Sequence, residues 1–113
     1  MSRRFRWSVA LGAAALLPLG AIAPAATATA AGYMPEAEPI AIWVMADRAT
    51  RRLLGVQVVG GHGAGKRIDT AAAVLWAGGS VDDLAWMDLS YAPPFATTWE
   101  VLQIAARRVA ERL

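Results

Sequence analysis

The sequence feature that most constrains the fold is a glycine-rich stretch at residues 58–69, VVGGHGAGKRID, which joins segments of two different periodicities. The segment before it, Leu53–Gly60, is rich in β-branched and apolar residues and predicts a strand. After the stretch, apolar residues recur at helical spacing and predict a helix that Gly78 and Gly79 bring to an end. The apolar face of this helix comprises Ile68, Ala71, Ala72, Leu75 and Trp76.

The same stretch raises the possibility of a nucleotide site. From Gly60 its spacing is G-x-x-x-x-G-K-R, which departs only at the last position from the phosphate-binding loop G-x-x-x-x-G-K-[ST]. Lys66 and the loop N–H groups suit a phosphate, but Arg67 stands where that motif needs a hydroxyl for Mg²⁺. Phosphoryl transfer also requires a parallel sheet and an acidic metal ligand, whereas the preceding strands predict an antiparallel hairpin. We therefore interpret the stretch as a tight structural turn.

A second β-rich segment, Glu38–Ala46, completes the predicted hairpin. Its Ile40, Ile42 and Val44 alternate along the chain and share one face, and a polar break at residues 47–52 separates it from the next strand. A two-stranded sheet is marginally stable by itself. The hairpin therefore predicts a partner surface that covers or completes the sheet.

Two further helices follow the first. Ser80 is expected to cap a short helix that ends at about Trp86. Pro93 and Pro94 exclude a helix in the next segment, and a capping box at residues 97–100 predicts a last helix. The fold class is therefore α+β, a small antiparallel sheet packed against two to three helices. One stripe of the last helix comprises Trp99, Leu102, Ala106, Val109 and Leu113.

Composition removes several classes of function. From residue 31 onward the chain has eight Lys and Arg against nine Asp and Glu, so it lacks the basic stripe that nucleic-acid binding requires. The chain has no cysteine, which excludes disulfides, thiolate metal sites and cysteine nucleophiles. Its single histidine, His62, cannot form a metal site alone, and we expect it to face solvent.

Residues 1–30 differ from the rest of the chain. Arg3, Arg4 and Arg6 precede an apolar run, and small residues in A-x-A spacing end at Ala30. This is the pattern of a secretory signal peptide, which would make the protein secreted or periplasmic. Two alternatives are a spurious leader produced by gene truncation and an uncleaved membrane anchor. In each case the predicted domain is residues 31–113.

Several motifs, in order along residues 31–113, resemble one known family. They are GYMPEAEPI, then RRLLGVQVVGGHGAGKRID, then GGSVDDLAWMDLSYAPPF. Together they resemble the C-terminal dimerisation domain of FAD-dependent pyridine nucleotide-disulfide oxidoreductases, in the subgroup of coenzyme A-disulfide reductase and NADH oxidase. The resemblance implies that the glycine turn belongs to the dimerisation fold. It also implies FAD and NAD(P)H as cofactors of the parent enzymes, bound by domains whose motifs this chain lacks.

The resemblance further implies two candidate catalytic residues. Tyr91, in the YAPPF motif, matches a tyrosine that is implied to reach across the dimer toward the partner subunit's flavin and cysteine. Tyr33, in the early GYMP segment, matches a tyrosine that is implied to lie nearby. A phenol is a plausible proton donor there, although its reference pKa of about 10 makes it a poor base. Met34 replaces the second aromatic residue of the early segment. We also expect at the subunit interface Pro93, Pro94, Phe95, Trp99 and Leu102, where Trp99 and Leu102 come from the stripe of the last helix, which we expect in the core or the interface.

Four hypotheses for the function follow. The first is a truncated or stand-alone dimerisation module that forms a homodimer, binds no cofactor itself and is not redox-active alone. The second is a subunit that lends Tyr91 in trans to a separate flavin-containing reductase. The third is a small secreted binding protein, which rests on the leader alone, and the fourth is a remnant without function. By family the location would be cytoplasmic, and a membrane location would follow only from an uncleaved leader.

Overall fold

The computed structural model describes residues 20–113 as three strands followed by three helices. The strands are β1 (Gly20–Ala28), β2 (Pro39–Asp47) and β3 (Leu53–Gly60), and the helices are α1 (Ala64–Trp76), α2 (Val81–Trp86) and α3 (Val101–Ala110). The strands form one antiparallel sheet in the order β1-β2-β3. The α+β class and the β2–β3 hairpin are therefore confirmed.

The sheet extends further toward the N-terminus than the sequence indicated. β1 pairs with β2 along its whole length, from Gly20 opposite Asp47 to Ala28 opposite Pro39. The predicted boundary between a leader of residues 1–30 and a domain of residues 31–113 therefore needs correction. Alanine- and threonine-rich sequence suits a signal-peptide end and an edge strand equally, and only long-range pairing distinguishes them. Residues 1–19, with the basic start of the leader, lie outside the described residues.

The core lies between one face of the sheet and the helices. On β2 the burial alternates, and Ile40, Ile42, Val44 and Ala46 are all buried, as the period of two predicts. α3 packs across β1 and β2, α1 packs against β3, and α2 packs against α3. The described residues contain no helix that is long and apolar enough to cross a membrane.

The buried face of α1 differs from the predicted one. Ala64, Ala71 and Val74 are buried, whereas Ala72 is exposed and Trp76 is 93% exposed. The apolar residues of α1 cover more than one face, so periodicity alone did not determine which of them face β3. The small side chains at 64 and 71 let the helix approach the strand closely.

The helix starts were predicted with mixed success. α2 has the expected capping box, in which Ser80 Oγ accepts from the N–H of Asp83 at 3.1 Å and Asp83 Oδ2 accepts from the N–H of Ser80 at 2.7 Å. For α3 the prediction was wrong, because the box is formed by Glu100 and Gln103 rather than by residues 97–100. Glu100 serves as the cap because Arg67 pairs with its other carboxylate oxygen.

Candidate functional site

The glycine turn between β3 and α1 is occupied by the chain itself. Glu38 Oε2 accepts a hydrogen bond from the backbone N–H of His62 at 2.7 Å. A Cβ atom added at Gly61 would lie 1.4 Å from that oxygen, so any other residue there would displace the carboxylate of Glu38. Gly63 has φ of 82°, in the left-handed region that glycine favours. A carboxylate thus occupies the position where an anion would have to bind, which agrees with a structural role for the turn.

Neither basic residue after the turn is free for a phosphate. Lys66 is exposed and pairs with Asp69 at 2.8 Å, and this ion pair raises the pKa of Lys66. Arg67 is mostly buried; its Nε pairs with Glu100, and its Nη2 donates to the carbonyls of Thr29 and Phe95, both at 2.7 Å. Arg67 therefore joins the end of β1 to the segment that leads into α3.

The two candidate catalytic tyrosines lie on exposed segments that meet. The N–H of Ala31 donates to the carbonyl of Pro93 at 2.8 Å, which joins the segment of Tyr33 to the segment of Tyr91. Tyr33 is 76% exposed and Tyr91 is 51% exposed. The structure thus brings the two segments together and leaves both rings accessible to a partner. Their catalytic role stays a prediction.

Two open cavities flank Phe95, which is itself 76% exposed. One, of about 390 Å³, is lined by residues that include Lys66, Arg67, Ser90 and Glu100. The other, of about 360 Å³, is lined by residues that include Glu36, His62 and Pro94. The charged groups of the first cavity are already paired, Lys66 with Asp69 and Arg67 with Glu100. Within residues 20–113, no group of three or more His, Cys, Asp or Glu residues is arranged for a metal ion.

A stacked arginine on the outside of α3 was missed by the sequence analysis. The guanidinium of Arg107 lies 3.7 Å from the ring centroid of Trp99 and 4.3 Å from that of Trp86. Its Nε donates to the carbonyl of Ala85 at 3.2 Å, while its buried Nη2 has no hydrogen-bond partner among the described residues. Trp86 and Trp99 remain 68% and 52% exposed.

The predicted interface residues divide into two groups. Phe95 and Trp99 are exposed, Pro94 is exposed and Pro93 is partly buried, so these residues are available to a second subunit. Leu102 is only 1% exposed and belongs to the core of its own subunit. It cannot contact a partner unless the domain unfolds. We use the name aromatic surface for the exposed rings of Trp86, Tyr91, Phe95 and Trp99 together with Arg107, which stacks on Trp86 and Trp99.

The architecture is that of a known domain. The sequence profile described as "Pyridine nucleotide-disulphide oxidoreductase, dimerisation domain" matches residues 21–102. The chain belongs to this family. The match begins inside β1, which agrees with the place of that strand in the sheet.

Relatives of the dimerisation domain are found in much longer enzymes. The chain is 49% identical over 75 residues to the NAD(P)H coenzyme A polysulfide/persulfide reductase of Pyrococcus horikoshii, and 32% identical over 74 residues to the coenzyme A disulfide reductase of Staphylococcus epidermidis. Each alignment covers 66% of this chain and 17% of the relative. The chain therefore corresponds to a small fraction of the length of these curated relatives.

Solved structures confirm the fold. The reduced Bacillus anthracis CoADR-RHD superimposes with a TM-score of 0.79 at 26% identity, over 89% of this chain and 19% of that one. The NAD-dependent persulfide reductase of A. fulgidus superimposes with a TM-score of 0.78 at 29% identity, over 88% of this chain and 19% of that one. The resemblance to the coenzyme A-disulfide reductase subgroup is thus confirmed at the level of the domain.

Proposed function

We propose that this chain is a dimerisation module that pairs with a second copy of itself through the aromatic surface and has no redox activity alone. Thiol–disulfide exchange requires a thiolate, and the chain contains no cysteine. What the chain does offer is a domain of the dimerisation family with large aromatic side chains left open to solvent.

The observation that supports pairing is the amount of exposed aromatic surface. Trp86, Tyr91, Phe95 and Trp99 are each more than half exposed. Because an aromatic side chain buries about 150–250 Å², together they leave on the order of 500 Å² of ring surface open. Monomeric proteins rarely expose larger contiguous apolar patches, and a standard interface buries about 800 Å² per partner. Tryptophan and arginine are also the residues that most often dominate binding energy in interfaces.

Light scattering coupled to size-exclusion chromatography tests this proposal on the full chain. We expect a particle of twice the 11.9 kDa chain mass. Trp99→Ser should weaken the dimer by about 30-fold in Kd, since a central tryptophan contributes roughly 2 kcal/mol or more. Trp76→Ser is the matched control, because Trp76 is the same residue type and is more exposed than Trp99 but lies on α1, outside the aromatic surface. A folded monomer at every concentration would contradict the proposal.

A second candidate function is that the chain lends Tyr91 to a separate flavin-containing reductase. It is favoured by the exposure of Tyr91 and by the contact that joins its segment to that of Tyr33. Affinity capture from native cells should then recover a yellow partner with flavin absorbance. Tyr91→Phe should leave capture unchanged and lower NAD(P)H turnover by the complex, and Tyr33→Phe tests the second candidate tyrosine by the same two measurements. Capture without flavin absorbance would exclude this function.

A further inference from the structure

The segment 28–31 contains the A-x-A pattern of a processing site. Hydrogen bonds made by both the backbone and the side chain of Thr29 hold it in place. The N–H of Thr29 donates to the carbonyl of Glu38 at 2.9 Å, and the N–H of Glu38 donates to Thr29 Oγ1 at 3.1 Å. Thr29 is 6% exposed and Ala30 is 1% exposed. A segment with this many backbone bonds and so little exposure cannot enter the extended cleft of a protease.

Two further contacts connect the segment to the other end of the chain. Arg67 Nη2 donates to the carbonyl of Thr29 at 2.7 Å and to the carbonyl of Phe95 at 2.7 Å. The N–H of Ala31 donates to the carbonyl of Pro93 at 2.8 Å. The segment is thus attached at once to the start of β2, to α1 and to the loop before α3. Opening it for cleavage requires the separation of all three.

Cleavage after Ala30 would also remove a strand. β1 pairs with β2 over nine residues, and α3 packs against both strands. Without β1 the sheet would retain two strands, which are marginal alone, and the β1 edge of β2 would be left unpaired beneath α3.

We infer that folding of this domain and processing after Ala30 exclude one another. The folded chain retains residues 20–30, and a chain that is cut after Ala30 does not form the domain. Whether the N-terminal strand is kept therefore depends on which comes first, folding or the protease. This inference is independent of dimerisation, because every contact that carries it lies within one subunit.

Elastase, which cleaves after small residues such as alanine, tests the inference on the purified full chain. The sites of first cleavage are determined by intact mass, in native buffer and in urea. We expect cleavage between residues 28 and 31 to be slow in native buffer and rapid in urea. Arg67→Met should raise the native cleavage rate in this segment by about tenfold, because two carbonyls lose a charged donor. Lys66→Met is the matched control, since Lys66 pairs only with Asp69 on the surface, and it should leave the rate unchanged.

A second measurement examines the cut product. After cleavage in urea, the fragment that starts at Ala31 is purified and the urea is removed, and near-ultraviolet circular dichroism of its tryptophans is compared with that of the intact chain. We expect no native signal. Cleavage after Ala28 or Ala30 in native buffer at the rate seen in urea, or recovery of the native signal by the fragment, would overturn the inference. If Arg67→Met does not fold, Arg67→Lys gives the same comparison with the charge retained.

Discussion

At the scale of single residues, the role of a side chain depends on which residues the fold places next to it. Arg67 occupies the position that carries a hydroxyl in phosphate-binding loops, yet it forms a mostly buried ion pair with Glu100 and binds two distant carbonyls. The carboxylate of Glu38 accepts the hydrogen bond from the N–H of His62 that a phosphate bound at the glycine turn would need. Glu100 and Glu38 both come from other parts of the chain. The local motif could therefore predict the turn but not the carboxylates that contact it.

Arg51 and Asp82 form a second residue-scale contact, which joins the β2–β3 turn to α2. Arg51 Nε and Nη2 donate to the two carboxylate oxygens of Asp82, both at 2.7 Å. Arg51 has φ of 61°, an uncommon conformation for a residue other than glycine. The bidentate contact fixes its side chain, while the carbonyl of the same residue accepts from the N–H of Val81 at 2.9 Å.

This contact predicts a loss of stability in acid. The hydrogen bonds from Arg51 lower the pKa of Asp82, against the smaller opposing effect of burial. A carboxyl group whose pKa is lower in the folded state stabilises the fold above its unfolded pKa of about 4, and this stabilisation is lost as pH falls through the lower folded value. We expect the Tm to be nearly constant from neutral pH down to about pH 5 and to fall below about pH 4.

Substitution separates Asp82 from the other carboxylates. Asp82→Asn should lower the Tm at neutral pH and reduce its fall in acid, as measured by thermal circular dichroism across a pH series. Asp88→Asn is the control, because Asp88 is exposed and makes no hydrogen bond or ion pair in the described part of the chain. Equal acid sensitivity of the wild type and Asp82→Asn would show that the contact contributes nothing.

At the scale of elements, caps and packing decide where helices begin and which face they bury. α2 has only six residues and carries a complete capping box, in which the hydrogen bonds from Ser80 also lower the pKa of Asp83. So short a helix has few internal hydrogen bonds, and its stability depends on the cap and on the contacts of its buried Val81, Leu84 and Ala85.

The cap of α2 can be tested by deletion of one hydroxyl. Ser80→Ala should lower the free energy of unfolding by about 1 kcal/mol, because the N–H of Asp83 loses its acceptor. Ser90→Ala is the matched control in an exposed segment outside the helices. Urea unfolding monitored by tryptophan fluorescence gives both values. Similar losses in the two variants would mean that the hydroxyl of Ser80 does not act as a cap.

At the scale of the whole molecule, the residues expected at the interface separate into core and surface. Leu102 lies on the buried face of α3, whereas Trp99 lies half-exposed against Arg107. Both belong to the one stripe of the last helix that the sequence predicts. The structure predicts different outcomes for their substitution by aspartate.

Leu102→Asp should unfold the chain, because a charge placed in the core costs several kcal/mol, comparable to the stability of a small domain. Trp99→Asp should retain the far-ultraviolet spectrum of the wild type and affect self-association instead. Circular dichroism and light scattering on the same samples distinguish the two effects. Loss of folded structure in Trp99→Asp would place that ring in the core rather than on the aromatic surface.

Sequence patterns were enough to predict the β2–β3 hairpin, the glycine turn, the helices, the cap of α2 and the family. These features depend on periodicity and on residues a few positions apart, which remain visible in a linear pattern. Contacts between distant residues were needed to establish that residues 20–28 are a strand, that α1 exposes Trp76, that Arg67 binds Thr29 and Glu100, and that Arg107 lies between two tryptophans. The pairing of β1, the buried face of α1 and the contacts of Arg67 all involve residues that are far apart in the chain. An alanine-rich segment or an arginine has no local preference strong enough to determine which distant residue it contacts.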